Sequence, residues 1–366
     1  MEPSFEVFNA AAQNGLIEIP SEAEAQRKKL DVFSAWELQH MNLPPVQWLV
    51  DGLIVRGGLG ILAAPPKYGK SWLCLALCTS IATGKPFLTF ETTQARTLYL
   101  ALEDSKNRLQ ARQNKIYGHQ DAPKEFDLAV FAETTSSGLF EQLEDFLGGH
   151  KDVGLIVIDT LQKVRSGSGG KNMYVEDYNE IGRLKTFADS KGVTILLVHH
   201  LRKMSDDTDP FNRISGSTAI LGAADFAFVL TKNKRQDHES ILSVTGRDIE
   251  EQEYTLTFDK EFCAWEIVGI TEEVEEQRAR MYYTSDPIVQ TIKAVLKREN
   301  PWCGKASQLM AAVTQETGFT FEESPKAFSA KLKALVPLLA EYDGINYEYK
   351  RNGSGAGKHV FRKSDR

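Results

Sequence analysis

Short runs of Val, Ile and Leu recur along this chain between amphipathic stretches, and the rhythm predicts a parallel sheet covered by helices. Six runs are nearly continuous in apolar residues, as strands buried on both faces are: Leu59–Ala63, Thr97–Leu102, Leu128–Phe131, Leu155–Ile158, Val193–Val198 and Phe226–Leu230. Apolar spacings of three and four predict helices over Trp72–Ala82, Leu109–Tyr117, Leu139–Leu147 and Tyr174–Ser190. Three closely spaced runs follow, Ile241–Val244, Tyr254–Phe258 and Ala264–Val268, and predict an antiparallel extension of the sheet.

Thr271–Tyr283 reads as a charged helical connector. Beyond it, Ile288–Arg298, Ala306–Thr317 and Ser324–Ala340 predict three helices, the last with Ser324 as N-cap and Pro325 in its first turn. Two strands around a Gly-rich tip complete the C-terminus, so a small winged helix-turn-helix unit is expected. Such a unit presents its third helix and wing to DNA, with Lys326, Lys331, Lys333, Lys350, Arg351, Lys358 and Arg362 as cations, or docks a protein. The expected organisation is a loosely ordered arm over 1–31, an α/β domain over 32–270, a connector over 271–285 and the winged unit over 286–366. The apolar cluster from Phe33 to Val50, with Trp36, Leu38, Leu43 and Trp48, is expected to form an extended segment packed on its own domain or on a neighbouring subunit.

Charge and cysteine content refine this picture. The whole chain carries a net charge of −7, yet 286–366 holds 13 Lys/Arg against 9 Asp/Glu while the remainder holds 30 against 41. The basic part is therefore the C-terminal unit. Four scattered cysteines give no disulfide framework, and Cys74 and Cys78 read as core thiols on one helix face. The chain starts without a basic-then-apolar leader, and no apolar run approaches the ~18 residues of a membrane span, so a reducing cytoplasm and no membrane partner are expected.

The chemistry concentrates in Leu59–Leu73, LGILAAPPKYGKSWL, a strand, a turn and a helix start. The loop Ala64, Pro65, Pro66, Lys67, Tyr68, Gly69, Lys70, Ser71 and Trp72, with the N–H groups of its non-proline residues, suits the phosphates of ATP, Lys70 reaches the β- and γ-phosphates, and Ser71 is a ligand for Mg²⁺. The general pattern has Gly where this chain has Ala64. Three other strand ends carry polar residues, the edge at which open α/β sheets bind ligands. They are Glu103 and Asp104, then Asp159 and Thr160, then His199 and His200. Asp159 after four apolar residues has the form of a magnesium-binding carboxylate. Glu103 is the candidate base for an attacking water, with Asp104 its competitor. Adjacent strand residues point to opposite faces, so one histidine faces the phosphates and the other packs.

AAPPKYGKSW, LYLALEDS, LIVIDT, ILLVHHLRK and ISGSTAILGAADFAFVL together resemble the RecA-like ATPases of plasmid and phage replication, the RepA-type hexameric helicases, over roughly Leu38 to Ile270. The resemblance implies a RecA-like P-loop core, ATP hydrolysis with Mg²⁺, a homo-oligomeric ring (a hexamer), single-stranded DNA as substrate, and a replication partner such as a primase or initiator. It also implies Glu103 as the catalytic glutamate, His200 as the γ-phosphate sensor and Arg112 stacked on adenine. Arg247, in SVTGRDIEE, resembles the finger of DnaB-type helicases that completes a neighbour's site. The RepA-type proteins instead carry Arg at about the position of Asp225. The loops QKVRSGSGGKNM and LRKMSDDTDPFNR offer Lys163, Arg165, Lys171, Arg202, Lys203 and Arg213 to a DNA strand in the ring channel. A regulatory or recombination-type ATPase without unwinding is the alternative. A small-molecule P-loop kinase and a DNA-binding adaptor that uses nucleotide only for assembly are more distant rivals.

Overall fold

Each apolar run becomes a strand in the computed structural model of the protein, which describes residues 30, 32–166, 173–201, 209–214, 218–232, 237–351 and 357–364. The expected arm over 1–31 lies almost wholly outside the described residues. The chain divides into two units, Met1–Val46 and Gln47–Arg366.

In the first unit, helix α1 (Ala35–His40) replaces the extended segment expected there. The reason is a capping box: Ser34 Oγ accepts from Glu37 N at 3.1 Å while Glu37 Oε2 accepts from Ser34 N at 2.6 Å. Trp36 of this helix is 67% exposed, and Leu43 beyond it 60%.

The second unit opens with a hairpin of β1 (Trp48–Val50) and β2 (Ile54–Val55). There follow β3 (Gly58–Ala64), α2 (Lys70–Thr83), β4 (Arg96–Ala101), α3 (Lys106–Tyr117), β5 (Phe126–Ala129), α4 (Leu139–Gly149) and β6 (Val153–Asp159). Next come α5 (Leu161–Val164), α6 (Met173–Lys191), β7 (Thr194–His200), α7 (Thr218–Ala223), β8 (Phe226–Thr231), β9 (Glu239–Gly246), β10 (Gln252–Asp259) and β11 (Ala264–Ile270). The nine-stranded sheet has the order β11-β10-β9-β8-β3-β7-β6-β4-β5. Strands from β8 to β5 run parallel, and β9, β10 and β11 extend the sheet antiparallel, as the three late apolar runs predicted.

Every residue of β3 and β6 is buried, because each face of the sheet has its own core. Leu59, Ile61, Ile156 and Ile158 face α4 and α6, while Leu62, Val157 and Leu196 face α2. At about 1.5–3 kcal/mol for each fully buried aliphatic side chain, these strands anchor the edge that carries the phosphate loop.

The C-terminal part consists of α8 (Thr271–Ser285), α9 (Pro287–Arg298), β12 (Trp302–Gly304), α10 (Ala306–Thr317), α11 (Pro325–Asp343), β13 (Ile345–Lys350) and β14 (Lys358–Lys363). Ser324 caps α11 with Pro325 at its start, as expected. The unexpected strand is β12, which pairs with β14 to give the antiparallel order β12-β14-β13. The residues of the expected tip, 352–356, lie outside the described residues. Helix α8 is held at its middle and near its C-terminal end: Arg278 holds Glu239 of β9 through two hydrogen bonds of 2.9 and 2.5 Å, and the Tyr283 hydroxyl donates to Asp343 Oδ2 of α11 at 2.6 Å. Among the described residues no helix is long and apolar enough to cross a membrane.

Candidate active site

Parallel strands bring their C-terminal ends to one edge, and there β3, β4, β6 and β7 deliver Lys70, Glu103, Asp159 and His200 around a cavity of about 670 Å³. The loop Pro65–Gly69 joins β3 to α2. Gly69 adopts φ 90°, and Lys67 also takes a left-handed φ of 69°. Ala64 ends the strand with φ outside that region, so the missing glycine is not needed there.

Lys70 is 7% exposed and its Nζ donates to Ala64 O (2.7 Å) and Pro65 O (3.3 Å). The same Nζ stands 3.3 Å from His200 Nδ1. Burial pulls the lysine pKa below its usual value, with the Asp159 charge opposing the shift. Burial, then the neighbouring Lys70 charge, holds His200 below the ordinary imidazole range, which keeps the ring neutral and Nδ1 able to accept. His199 is 5% exposed and does not line the cavity, whereas His200 does, so the two histidines divide as strand alternation requires.

Asp159 is 6% exposed and accepts from Ser71 Oγ (2.9 Å) and the Tyr99 hydroxyl (2.5 Å), both on Oδ2. Burial nevertheless raises its pKa, because two neutral hydroxyls do not replace a lost hydration shell. A carboxylate and a hydroxyl, both hard oxygen donors, fit Mg²⁺. Among the described residues no cluster of three or more His, Cys, Asp or Glu could hold a metal ion, so Ser71 and Asp159 suit an ion that shares its coordination with phosphate and water.

Glu103 and Asp104 separate clearly. Asp104 accepts from Arg108 (3.0 Å) and Arg112 (2.6 Å) of α3, whereas Glu103 is exposed at the cavity and accepts from Thr160 Oγ1 at 3.2 Å. Arg112 also lies over the Trp72 ring at 5.5 Å, so its guanidinium has two partners within the cavity wall.

Five lining residues escaped the sequence reading: Arg108, Lys232, Phe258, Lys260 and Trp265. Arg108 stands in the first turn of α3 and Lys232 just after β8, while Phe258, Lys260 and Trp265 come from the antiparallel extension, whose β10 ends and β11 begins at the phosphate edge. Trp265 packs against the loop closely enough that a Cβ on Gly69 would stand 2.7 Å from its Cζ2. Phe258 lies 5.0 Å from Trp265 and 6.3 Å from Trp72 between ring centroids. Tyr99 was also missed, although its place inside the apolar run before Glu103 could have marked it.

Other expected residues lie away from this cavity. Arg247 is at the edge where β8 begins, beside Asp225. Lys163 is exposed on α5. Arg165 is not an open-loop cation: Glu180 of α6 accepts its Nε at 3.4 Å and also the Ser166 N–H at 2.8 Å. Arg213 closes a 3-10 turn, Pro210–Arg213, and is half-buried. Lys171, Arg202 and Lys203 lie outside the described residues.

The solved ATPase domain of another protein is similar with a TM-score of 0.49 and 14% identity, over 58% of this chain and 84% of that one. A DnaB-like replicative helicase, solved in a study of its interactions with primase, is similar with a TM-score of 0.48 and 14% identity, over 58% of this chain and 57% of that one. The family model described as AAA domain matches residues 22–206, a span that contains the phosphate loop, Glu103, Asp159 and His200. With just over half of its length matched by that model, the chain belongs to the AAA domain family.

Proposed function

We propose that this AAA-type ATPase is a ring-forming motor, a hexamer, that hydrolyses ATP to act on single-stranded DNA during replication of a plasmid, phage or other mobile element. The observation that carries the reading is the convergence of Lys70, Glu103, the Ser71–Asp159 pair and His200 on one strand-end edge. Bound ATP with Mg²⁺ supplies the transferable phosphoryl group. Ser71 and Asp159 hold the metal, Lys70 and the loop amides bind phosphate oxygens, and Arg112 with Trp72 forms the wall for the base. Glu103 orients a water and takes its proton, a role its exposure toward the cavity favours over Asp104. His200 reports the phosphate end of the site to β7 and the loop beyond it.

Lys163, Arg165, Lys171, Arg202, Lys203 and Arg213 are the cations assigned to the DNA strand, and a primase or initiator is the partner class. One observation favours the second reading, a regulatory or recombination-type ATPase without unwinding: Arg165 is tied to Glu180 and Arg213 is half-buried, which leaves fewer free cations for a channel. A strand-displacement assay on a forked duplex separates the two. Displacement that needs ATP and is lost in Glu103→Gln supports the motor, whereas DNA binding and ATP turnover without displacement supports the regulatory ATPase.

A further inference from the structure

Helix α6 buries Ile181, Leu184 and Ala188 against the sheet, and next to them in sequence it buries one acid, Glu180, which is 8% exposed. An aliphatic side chain there would avoid dehydrating a charge, so the acid needs donors. Four among the described residues reach it. Oε1 accepts from the Thr135 hydroxyl at 2.8 Å, from the Ser166 N–H at 2.8 Å and from the Ser166 hydroxyl, while Oε2 accepts from Arg165 Nε at 3.4 Å. Burial pushes the Glu180 pKa up, but the Ser166 hydroxyl and N–H, the Thr135 hydroxyl and the Arg165 charge together outweigh burial and hold it below the usual carboxylate range. The group is ionised in the folded chain.

Two of these donors stand on the segment that leads out of the active site. Asp159 and Thr160 end β6 at the cavity, Leu161 and Val164 of α5 are buried behind them, and Arg165 and Ser166 follow directly. The Val164 carbonyl accepts the Thr135 N–H at 2.8 Å, which ties the same stretch to the turn before α4. The two oxygens of Glu180 divide their partners. Oε1 fixes Ser166 and Thr135 through neutral donors, whereas Oε2 meets the Arg165 guanidinium at 3.4 Å, longer than the ~2.7–2.9 Å of a tight charge-assisted hydrogen bond. Departure of Arg165 leaves every donor on Oε1 in place and opens Oε2 to water, so this tie can be exchanged while the backbone stays anchored.

We propose that Glu180 is a positioning residue for the DNA-contacting loop: it anchors Ser166 through Oε1 and holds Arg165 through Oε2 until a phosphate of single-stranded DNA takes the carboxylate's place on the guanidinium. The inference deepens the proposed function and rests on its assignment of Arg165 to the DNA strand; it names the group with which that strand competes. A backbone phosphate carries the same charge as the carboxylate, and the guanidinium fork accepts either anion, so the exchange replaces one ion pair by another. The Arg165–Glu180 pair then marks a cation held ready beside the loop, close in sequence to the carboxylate that serves the metal. Packing alone would not call for a charge at this position, and anchoring Ser166 alone would not call for the arginine.

The test is equilibrium binding of the full-length chain to a fluorescent oligothymidylate by anisotropy, with Mg²⁺ and a non-hydrolysable ATP analogue, for the wild type, Glu180→Gln, Arg165→Ala and the double variant. Glutamine keeps an acceptor for Ser166 and Thr135 but turns an amide N–H toward Arg165, so it releases the arginine alone. Glu180→Gln should bind about threefold or more tightly, a gain that mere damage to the structure does not produce. Arg165→Ala should bind more weakly, with the slope of log K against log salt reduced by about 0.7, and the double variant should bind no more tightly than Arg165→Ala. Unchanged thermal midpoints show that the variants fold. Affinity in Glu180→Gln equal to or below that of the wild type overturns the proposal, and so does a gain that persists in the double variant. Arg165→Ala, which leaves the buried carboxylate its donors on Oε1, overturns it independently by binding as the wild type does. A wild type that binds no oligothymidylate at low salt removes the DNA reading as a whole, whereas a missing gain in Glu180→Gln leaves that reading standing and removes the role of Glu180.

Discussion

Arg247 meets Asp225 at 3.6 Å between Nη1 and Oδ1, at the edge of the sheet where the central strands begin, while Lys70 stands at the edge where they end. A seven-residue strand such as β3 separates those edges by about 20 Å, so Arg247 cannot serve the phosphate loop of its own chain. Its side chain is 63% exposed, and an exposed pair of this length contributes at most about 1 kcal/mol. Asp225 itself is fixed, accepting the Leu59 N–H at 2.8 Å and pairing with Lys185 at 2.7 Å. Arg247 therefore has the freedom that a finger for a neighbouring subunit, the role proposed for it, needs. Arg247→Ala is expected to lower turnover about a thousandfold or more while nucleotide binding persists. Mixing Arg247→Ala with Glu103→Gln chains should restore part of the activity, because one supplies the finger and the other the base. Undiminished turnover in Arg247→Ala removes the assignment.

Glu103 and Asp104 are adjacent acids with different attachments, and kinetics should separate them. Glu103→Gln is expected to lower kcat by about 10²–10⁴ with little change in nucleotide affinity. Asp104→Asn instead loosens Arg108 and Arg112, so its main effect should be weaker nucleotide binding. Single-turnover hydrolysis measured beside binding of a fluorescent ATP analogue distinguishes the outcomes. The reverse pattern would make Asp104 the base.

Trp265 is 7% exposed and backs the phosphate loop at Gly69. Trp265→Ala is expected to cost about 3–5 kcal/mol of stability, the usual range for deleting a buried large aromatic, and to weaken nucleotide binding by releasing the loop. Trp265→Phe should recover most of both. Denaturant unfolding with nucleotide titration checks this, and an alanine variant with full nucleotide affinity would show that the loop holds its shape without the indole.

The central sheet was legible because strands buried on two faces must be apolar throughout, and their polar ends then mark the ligand edge. That rule marked Asp159 and the His199–His200 pair, whereas Lys70 and Ser71 were marked by the Gly-Lys-Ser turn and the choice of His200 by the resemblance. Phe258, Lys260 and Trp265 were not legible, since a period-2 pattern gives the face of a strand but not which helix or loop that face will cover. The Trp302–Gly304 strand is too short to carry a pattern and exists because β14 offers it an edge. At Ala35–His40, apolar content suggested packing, while the decisive local signal was the Ser34–Glu37 capping pair. Arg165 looked like a free loop cation because its partner, Glu180, is distant in sequence and is brought to it by α6.

Acid should weaken the C-terminal part. Burial, then the charge of Lys333, holds His359 below the ordinary imidazole range, with the Tyr347 hydroxyl, Ser329 Oγ and the Tyr349 ring also beside it. The unfolded chain's imidazole, near 6.5, takes a proton before the native one does, so this contribution to stability is complete above about pH 6.5 and is lost as pH falls toward the lower native value. His200 contributes with the same sign. Asp159, raised by burial, has the opposite sign but acts in the carboxylate range. Thermal midpoints from pH 8 to 5.5 should fall less steeply in His359→Gln than in the wild type; parallel curves would contradict the assignment.

The most direct measurement is the steady-state rate of ATP hydrolysis by the full chain with Mg²⁺, titrated with single-stranded DNA, in the wild type and in Lys70→Ala. The motor account predicts a rate that rises with DNA and saturates, and no activity at any DNA concentration in Lys70→Ala. A rate indifferent to DNA, or one that survives the loss of Lys70, contradicts it.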